Sequence, residues 1–415
     1  MTNIKVALDS RLVKPGEYFI PVIGDEDDGH KYIDSAIQNG AKGIIEADEL
    51  YKIASEKLQE INPKIIAITG SVGKSTMRDF LTTMLSQKYR VCKGSLNTKL
   101  GLAVNIINDL KEGDEFFVAE TGMDRVGELT ETGNFLNPHA VVITNISESH
   151  MLKLGSLEAI KKAKSELLYT LRPGGVAFIN WDNENIRDVI EKNFNDLLVQ
   201  KYSFSDPLPY LPTQLLGSHN YLNSVGAYKV GQYFGLSDDE LIKGLKALTT
   251  PKGRLKIIEG INDSIIIDDT YNSSPVSAKY ALDAVTNYYK SQNLTGRKIA
   301  VLGGMSELGD FEDRGHDLVG DYVVAEGFDE LVLVDELGAK ISNSEKLKNS
   351  NVHVLMSADV KSAGELVKTK LKPQKGDIIL VKASQSKRLE ITVELLMKNP
   401  SDAEKLLVRQ DARWK

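Results

Sequence analysis

An apolar run, Ile65-Ile-Ala-Ile-Thr69, passes into Gly70-Ser71-Val72-Gly73-Lys74-Ser75 and then into a helical pattern beginning near Thr76. Glycines let successive backbone N–H groups turn inward and cradle phosphate oxygens. In such a turn Lys74 offers a point charge to the outer phosphates of a nucleoside triphosphate, and the Ser75 hydroxyl is placed to ligate Mg²⁺. The helix behind the loop adds the positive end of its dipole. The full G-x-x-x-x-G-K-[ST] spacing is not met, because Ile68 stands at the first glycine position. The strand before the turn and the helix after it favour a phosphate loop over a tight turn that merely contains Gly-Lys-Ser.

Such a loop does not say what the terminal phosphate is used for. Glu120 closes the run Phe116-Phe-Val-Ala-Glu120. Ligands of open α/β sheets bind beyond the carboxyl ends of strands, so Glu120 is as readily a Mg²⁺ ligand as a solvated strand-end carboxylate. His150 lies five residues past the strand expected over 140–145, at the same edge. A lone histidine is more often structural than metal-bound. Lys164, in Lys161-Lys-Ala-Lys-Ser-Glu166, reads in isolation as a surface lysine.

The elements that must position these groups are short apolar runs alternating with helical periodicity, the pattern of an α/β chain with mainly parallel sheets. Strands are expected at 64–69, 116–120, 140–145 and 176–180, and a second series at 264–269, 298–303, 330–334 and 377–381. Helical patterns cover 157–171 and 277–289. Seams at Glu60-Ile-Asn-Pro63 and Thr249-Thr-Pro-Lys-Gly253 divide the 415 residues into a small N-terminal α/β module (1–63), a central P-loop domain (64–250) and a C-terminal Rossmann-like α/β domain (251–415).

A net charge of −7 argues against a broad nucleic-acid surface, which needs clustered Lys and Arg. No run approaches the ~20 apolar residues of a membrane span, and the first residues lack the apolar segment of a secretory signal. The single cysteine, Cys92, forms no intrachain disulfide, reads as packing, and fits a cytoplasmic location. His139 and His353 read as structural, His316 as packing, Asp25–Asp28 as a solvated loop, and Trp414 with its basic neighbours as a tail or docking segment.

Taken in order, Thr69-Gly-Ser-Val-Gly-Lys-Ser-Thr76, Glu120-Thr-Gly-Met123, Thr144-Asn-Ile-Ser-Glu-Ser-His150 and Ala163-Lys-Ser-Glu166 resemble the ATPase core of the Mur ligases of cell-wall synthesis. Gly217-Ser-His-Asn-Tyr-Leu-Asn223 resembles the family's G-x-H-N-x-x-N segment, and Gly253-Arg254 the start of its C-terminal domain. Asp268-Asp-Thr-Tyr-Asn-Ser-Ser-Pro275, Val301-Leu-Gly-Gly-Met-Ser-Glu-Leu-Gly309 and Val381-Lys-Ala-Ser-Gln-Ser-Lys-Arg-Leu-Glu390 resemble the branch that adds D-alanyl-D-alanine. Asp9-Ser-Arg11 and Asp28-Gly-His30 look like elements of the nucleotide-sugar module.

The resemblance implies an ATP-dependent ligase that activates a carboxylate of a UDP-linked muramoyl peptide as an acyl phosphate and joins it to D-alanyl-D-alanine, working as a monomer in the cytoplasm. It implies that Gly70, Ser71, Val72, Gly73, Lys74, Ser75 and Thr76 hold the phosphates, with Lys74 on the transferred group. Asn220 and Asn223 then contact the adenine side, and Arg254 and Asp269 reach ATP from the C-terminal domain. Ser75 and Glu120 hold one Mg²⁺, and His150 helps hold a second. Lys164 matches the family's carbamylated lysine, whose modification turns a cation into an anion able to sit beside Mg²⁺. Ser10, Arg11 and Asn97 face the first substrate.

Several positions depart from the branch pattern: Ser274 for Asn, Gly304 for Asp, Ala383 for Gly and Gln385 for Arg. Gln cannot replace the bidentate carboxylate grip of Arg. These residues fall where the incoming amine would dock, so two alternatives stand beside the first reading. One is a ligase of the same family joining another amine to another carboxylate; the other is a nucleotide-binding partner without ligase turnover.

Overall fold

Alternate residues of the strand Lys64–Thr69 face two different cores, Ile65 and Ala67 on one side and Ile66 and Ile68 on the other. A strand buried on both faces reads as a continuous apolar run and belongs in the middle of a parallel sheet. The computed structural model of the chain describes residues 4–24, 27–147, 154–213, 215–306, 308–411 and 414.

Three sheets follow in chain order. The first is small, with parallel two-residue strands β1 (Val6–Ala7), β2 (Tyr18–Phe19) and β3 (Gly43–Ile44). Helix α1 (Ala47–Ile61) leads out of it, burying Leu50, Ala54 and Leu58 at helical spacing, and ends on Asn62 in the left-handed conformation (φ 50°).

The second sheet holds β4 (Lys64–Thr69), β5 (Val91–Lys93), β6 (Phe116–Glu120), β7 (Ala140–Ile143), β8 (Val176–Asn180) and β9 (Val199–Tyr202) in the order β5-β6-β4-β7-β8-β9, all parallel. Helix α2 (Lys74–Leu85) covers one face with Met77, Phe80, Leu81 and Met84, and α3 (Lys99–Asp109) the other with Leu102, Ala103 and Ile106. The helical stretch expected over 157–171 is an α-helix, α4 (Leu157–Ser165), that tightens into a 3₁₀ turn over Glu166–Thr170. Helix α5 (Ser218–Tyr233) packs beside α2.

The third sheet runs β10 (Lys256–Glu259), β11 (Ile265–Asp269), β15 (Ile378–Lys382), β12 (Lys298–Gly303), β13 (Glu330–Val334) and β14 (His353–Ser357). It is mixed, because the edge strand β10 pairs antiparallel with β11 while the others are parallel. Helix α6 (Pro275–Ser291) starts with a capping box between Ser274 and Ser277 and Pro275 at its first turn; the Ser274 hydroxyl accepts from the Ser277 N–H, a capping role that asparagine fills equally well. Helix α7 (Glu312–Ala325) carries His316, which is fully buried and ties the turn after β12 to its own helix: Nε2 accepts from the Met305 N–H at 3.0 Å, and Nδ1 lies 2.7 Å from the Glu312 carbonyl. Gly304 is explained by packing, since a Cβ there would lie 2.6 Å from Leu337 Cβ.

Two boundaries differ from the sequence expectation for local chemical reasons. The phosphate-loop helix begins at Lys74 rather than near Thr76, because Gly73 is its left-handed N-cap (φ 86°). Strand β7 ends at Ile143 rather than Asn145, because Thr144 and Asn145 turn to hold the phosphate loop.

Candidate active site

Strand β4 delivers its loop to the carboxyl edge of the sheet, where the next segment straps it down. The Val72 N–H donates to Asn145 Oδ1 at 2.8 Å, the Thr144 hydroxyl donates to the Val72 carbonyl at 2.6 Å, and the Ser71 N–H donates to the Asn145 carbonyl at 2.9 Å. Ser71 and Ser147 bond reciprocally, hydroxyl to carbonyl at 3.0 Å and N–H to hydroxyl at 2.9 Å. Gly70 is forced by this embrace: a Cβ on it would lie 2.1 Å from the Thr144 hydroxyl.

Two amines converge on the loop. Lys74 Nζ donates to the Gly70 carbonyl at 2.9 Å, and Lys164 Nζ, from α4, donates to the same oxygen at 3.2 Å. Lys164 is 1% exposed, so it is not the surface lysine its flanking residues suggest. Burial, and then the neighbouring Lys74, hold the Lys164 amine well below the usual lysine range; burial also lowers Lys74, with Glu120 opposing. A lysine held this way keeps more of its free amine near neutral pH.

Glu120, at the end of β6, is buried, and Arg78 of α2 reaches it at 3.3 Å while also pairing with Asp79 at 2.8 Å. Ser71, Val72, Gly73, Lys74, Ser75, Asn97, Glu120 and Arg254 all line one cleft. Its opposite wall is Tyr271–Ser274, Ser277, Ser306, Leu308 and Gln385 from the C-terminal sheet and α6. The Arg254 guanidinium stacks on the Tyr271 ring, 4.0 Å from its centroid.

A second pocket opens beside the loop, walled by Val72, Gly73, Thr144, Asn145, Asn180, Asp182, Asn183, Phe204, His219, Asn223 and Tyr280. Asn223 Nδ2 and His219 Nδ1 are buried there with no partner among the described residues. Buried polar groups are nearly always satisfied, so two orphans on one pocket wall indicate a polar ligand. Burial pushes the His219 imidazole down to about 4, which keeps it neutral.

Other expected residues lie elsewhere. Asn220 is behind the pocket wall, where its amide donates to the Leu216 carbonyl at 2.7 Å. Asp269 is turned away from the cleft: one oxygen accepts from Lys382 Nζ at 2.6 Å and the other from the Leu255 N–H at 3.2 Å. Thr76 is buried in the first turn of α2. Ser10 and Arg11 line a separate cavity of about 860 Å³ in the N-terminal module, with Arg11 paired to Asp9 at 2.7 Å. That volume suits a small-molecule site, roughly 300–1,000 Å³. His150 lies outside the described residues.

Sequence reasoning missed Thr144, Asn145 and Ser147 as the strap, Arg78 beside Glu120, and Asn180, Asn183 and Tyr280 around the second pocket. The strand-end rule that picked out Glu120 also applies to Asn180, the last residue of β8. Nothing local marks Tyr280, which reaches the pocket only because α6 lies against it.

Ser75 and Glu120 are hard oxygen donors, the kind Mg²⁺ prefers, and Mg²⁺ commonly takes one or two protein oxygens and completes its shell with phosphate oxygens and water. Among the described residues no group of three or more His, Cys, Asp or Glu could hold a metal alone. The donor set therefore fits Mg²⁺ carried in with a phosphate ligand.

A strapped phosphate loop facing a second α/β sheet across a cleft is an architecture suited to a nucleotide-dependent enzyme. Three family models match in turn: Mur ligase family, catalytic domain, over residues 5–89; Mur ligase middle domain over 68–212; and Mur ligase, glutamate ligase domain, over 253–385. The UDP-N-acetylmuramoyl-tripeptide–D-alanyl-D-alanine ligase of Bacillus subtilis is 32% identical over 95% of this chain and 93% of its own length. The enzyme of the same name from Synechocystis is 29% identical over 95% and 92%. The structure of MurF ligase from Thermotoga maritima in complex with ADP superposes with a TM-score of 0.80 at 25% identity, covering 97% of this chain and 98% of that one. MurF from Acinetobacter baumannii shares the fold with a TM-score of 0.79 at 24% identity over 95% and 93%. The chain belongs to the Mur ligase family.

Proposed function

We propose that this chain is an ATP-dependent, ADP-forming ligase that joins D-alanyl-D-alanine to the terminal carboxylate of a UDP-N-acetylmuramoyl-tripeptide, the activity for which its relatives are named. The observation that carries this reading is the meeting of Lys74, Ser75, Glu120 and Arg254 in one cleft between the central and C-terminal sheets.

The substrate carboxylate attacks the terminal phosphorus of ATP, the bond to ADP breaks, and an acyl phosphate forms. The incoming amine then attacks the acyl carbon, phosphate leaves with the bonding pair, and the amine proton goes to solvent. Lys74 and Arg254 lower the repulsion between carboxylate and triphosphate and stabilise the charge that spreads over the transferred group. The N–H groups of Gly73, Lys74 and Ser75 at the start of α2 fix the phosphates. Asn223 and the pocket around it take the base. The wall from Tyr271 to Ser277 excludes water and shields the acyl phosphate.

Mg²⁺ would be held by Ser75 and Glu120, with His150 as a candidate for a second ion, and when bound it neutralises phosphate charge and polarises the transferring group. Lys164, held as a buried amine beside the loop, is suited to take up CO₂: the nitrogen attacks carbon, a proton leaves, and a carbamate anion replaces a cation. The cavity around Ser10 and Arg11 would receive the UDP portion, and Asn97 the peptide end near the loop. The serine-lined wall with Gln385 would receive the dipeptide. The chain would act as a cytoplasmic monomer; among the described residues no helix is long and apolar enough to cross a membrane.

The test is purified chain with ATP, Mg²⁺ and both substrates, following phosphate release and identifying the product by mass. Stoichiometric phosphate, ADP and the extended peptide are expected; no phosphate above background sinks the reading.

A further inference from the structure

The last residues of the chain wrap back over the segment that carries Arg254. Lys252 Nζ donates to the Glu404 carbonyl at 2.8 Å, and a Cβ on Gly253 would lie 3.2 Å from Val408 Cγ1. Arg409 follows in the left-handed region (φ 54°), a conformation that costs free energy in a non-glycine residue and persists only where surroundings enforce it. Its side chain is 5% exposed. One terminal nitrogen donates to the Thr270 carbonyl at 2.6 Å and to Glu390 at 2.8 Å, and the other to the Tyr271 carbonyl at 3.4 Å. Glu390 is itself fully buried and takes a second contact from Arg388 at 3.2 Å.

These bonds clamp Thr270 and Tyr271, and Arg254 rests on the second of them. The Tyr271 N–H donates to the Gly253 carbonyl at 3.1 Å, and the Tyr271 ring is the surface on which the Arg254 guanidinium stacks. Arg254 is long and rotamer-rich, so the orientation of that ring sets where its charge points into the cleft. A buried guanidinium paired with a buried carboxylate is an expensive way to hold a loop, since desolvation offsets most of the attraction. Its planar fork nonetheless reaches two carbonyls and a carboxylate at once, which an apolar side chain cannot do.

We infer that Arg409 is a positioning residue for nucleotide binding: through the Thr270 and Tyr271 carbonyls it fixes the ring that aims Arg254 at the phosphates. The inference rests on the ATP reading of the cleft.

Full-length wild type, Arg254→Ala, the pair Arg409→Met with Glu390→Gln, and all three changes together are compared in steady-state ATP kinetics and in calorimetric titration with ATP. The paired change avoids leaving Glu390 as a buried lone charge. Arg409→Lys is added because it keeps a cation beside Glu390 but lacks the fork. The pair and Arg409→Lys are expected to raise Kd for ATP about tenfold, the size of one lost charge-assisted hydrogen bond, and to lower kcat as well, because Arg254 also steadies the transferring phosphate. On the Arg254→Ala background the pair is expected to add nothing, the signature of residues acting through one another. Losses that add across the two sites, or a lowered melting temperature with ATP affinity untouched, overturn the inference and leave the ligase reading standing. Wild type that binds no ATP overturns the ligase reading itself, and this inference with it.

Discussion

Lys74 and Lys164 donate to the same acceptor, the carbonyl oxygen of Gly70, at 2.9 and 3.2 Å. Two side chains 90 positions apart in sequence thus share one backbone oxygen of the phosphate loop, and burial lowers both amines. Lys74 lines the cleft, and Lys164 is enclosed.

Lys74→Ala is therefore expected to reduce phosphate release by at least about 10²-fold, the usual loss when a preorganised charge is removed from a transition state. ATP-dependent phosphate release with both substrates present measures it. Activity within a few-fold of wild type would remove Lys74 from the reaction.

Lys164→Ala should be nearly inactive for a different reason, because under the proposed carbamate it loses an anion rather than a cation. Short carboxylates such as formate or acetate should restore part of the rate, because they can occupy the space where the carbamate would lie. Lys74→Ala should show no such rescue. Full activity of Lys164→Ala, or equal rescue of both variants, would remove the carbamate.

Asn223→Ala removes one of the two orphaned polar groups of the second pocket. KM for ATP should rise about tenfold, the cost of one hydrogen bond in a buried site. A KM that stays at the wild-type value would place the base elsewhere.

A fourth prediction concerns pH. Burial pushes the Asp268 carboxyl up to about 6, against bonds from Thr270 that favour its ionised form. Asp269 also raises it and Arg409 lowers it. The folded chain thus keeps this proton where the unfolded chain has lost it. The stability that the protonated group contributes is complete below about pH 4 and disappears as pH rises to about 6, a loss of about 3 kcal/mol. Asp268→Asn does not titrate, so its stability relative to wild type should climb across that window and level off above it. Urea unfolding at several pH values from 4 to 8 measures the difference; a difference independent of pH would show that Asp268 titrates normally.

The central strands are legible in the sequence because both their faces are buried, which leaves continuous runs such as Phe116–Ala119. The phosphate loop is legible for the same reason that it works, a glycine-bearing turn between strand and helix. Lys164 is not, because a lysine among lysines carries no mark of burial; α4 packs that lysine inward and leaves Lys161 half-buried and Lys162 exposed. Asn220 and Asp269 show the converse, since motif membership does not tell which way a side chain faces. The clamp of Arg409 on Thr270 joins positions 139 apart and leaves no local periodicity to read. The mixed character of the third sheet is equally hidden, because its antiparallel edge strand β10, Lys256–Glu259, is half-exposed and is not among the strands expected from apolar runs.

Leu216 stands in the connection that leads into α5, yet its side chain packs with Leu255, Ala281, Leu282 and Ala284 in the hydrophobic cluster of the C-terminal sheet. Its carbonyl holds Asn220, and Asn223 follows one turn later on the base pocket. The pocket entrance is thus fastened to both bodies of the protein. Linkage is reciprocal: if the placing of the C-terminal sheet sets nucleotide affinity, an occupied base pocket biases that placing by the same free energy.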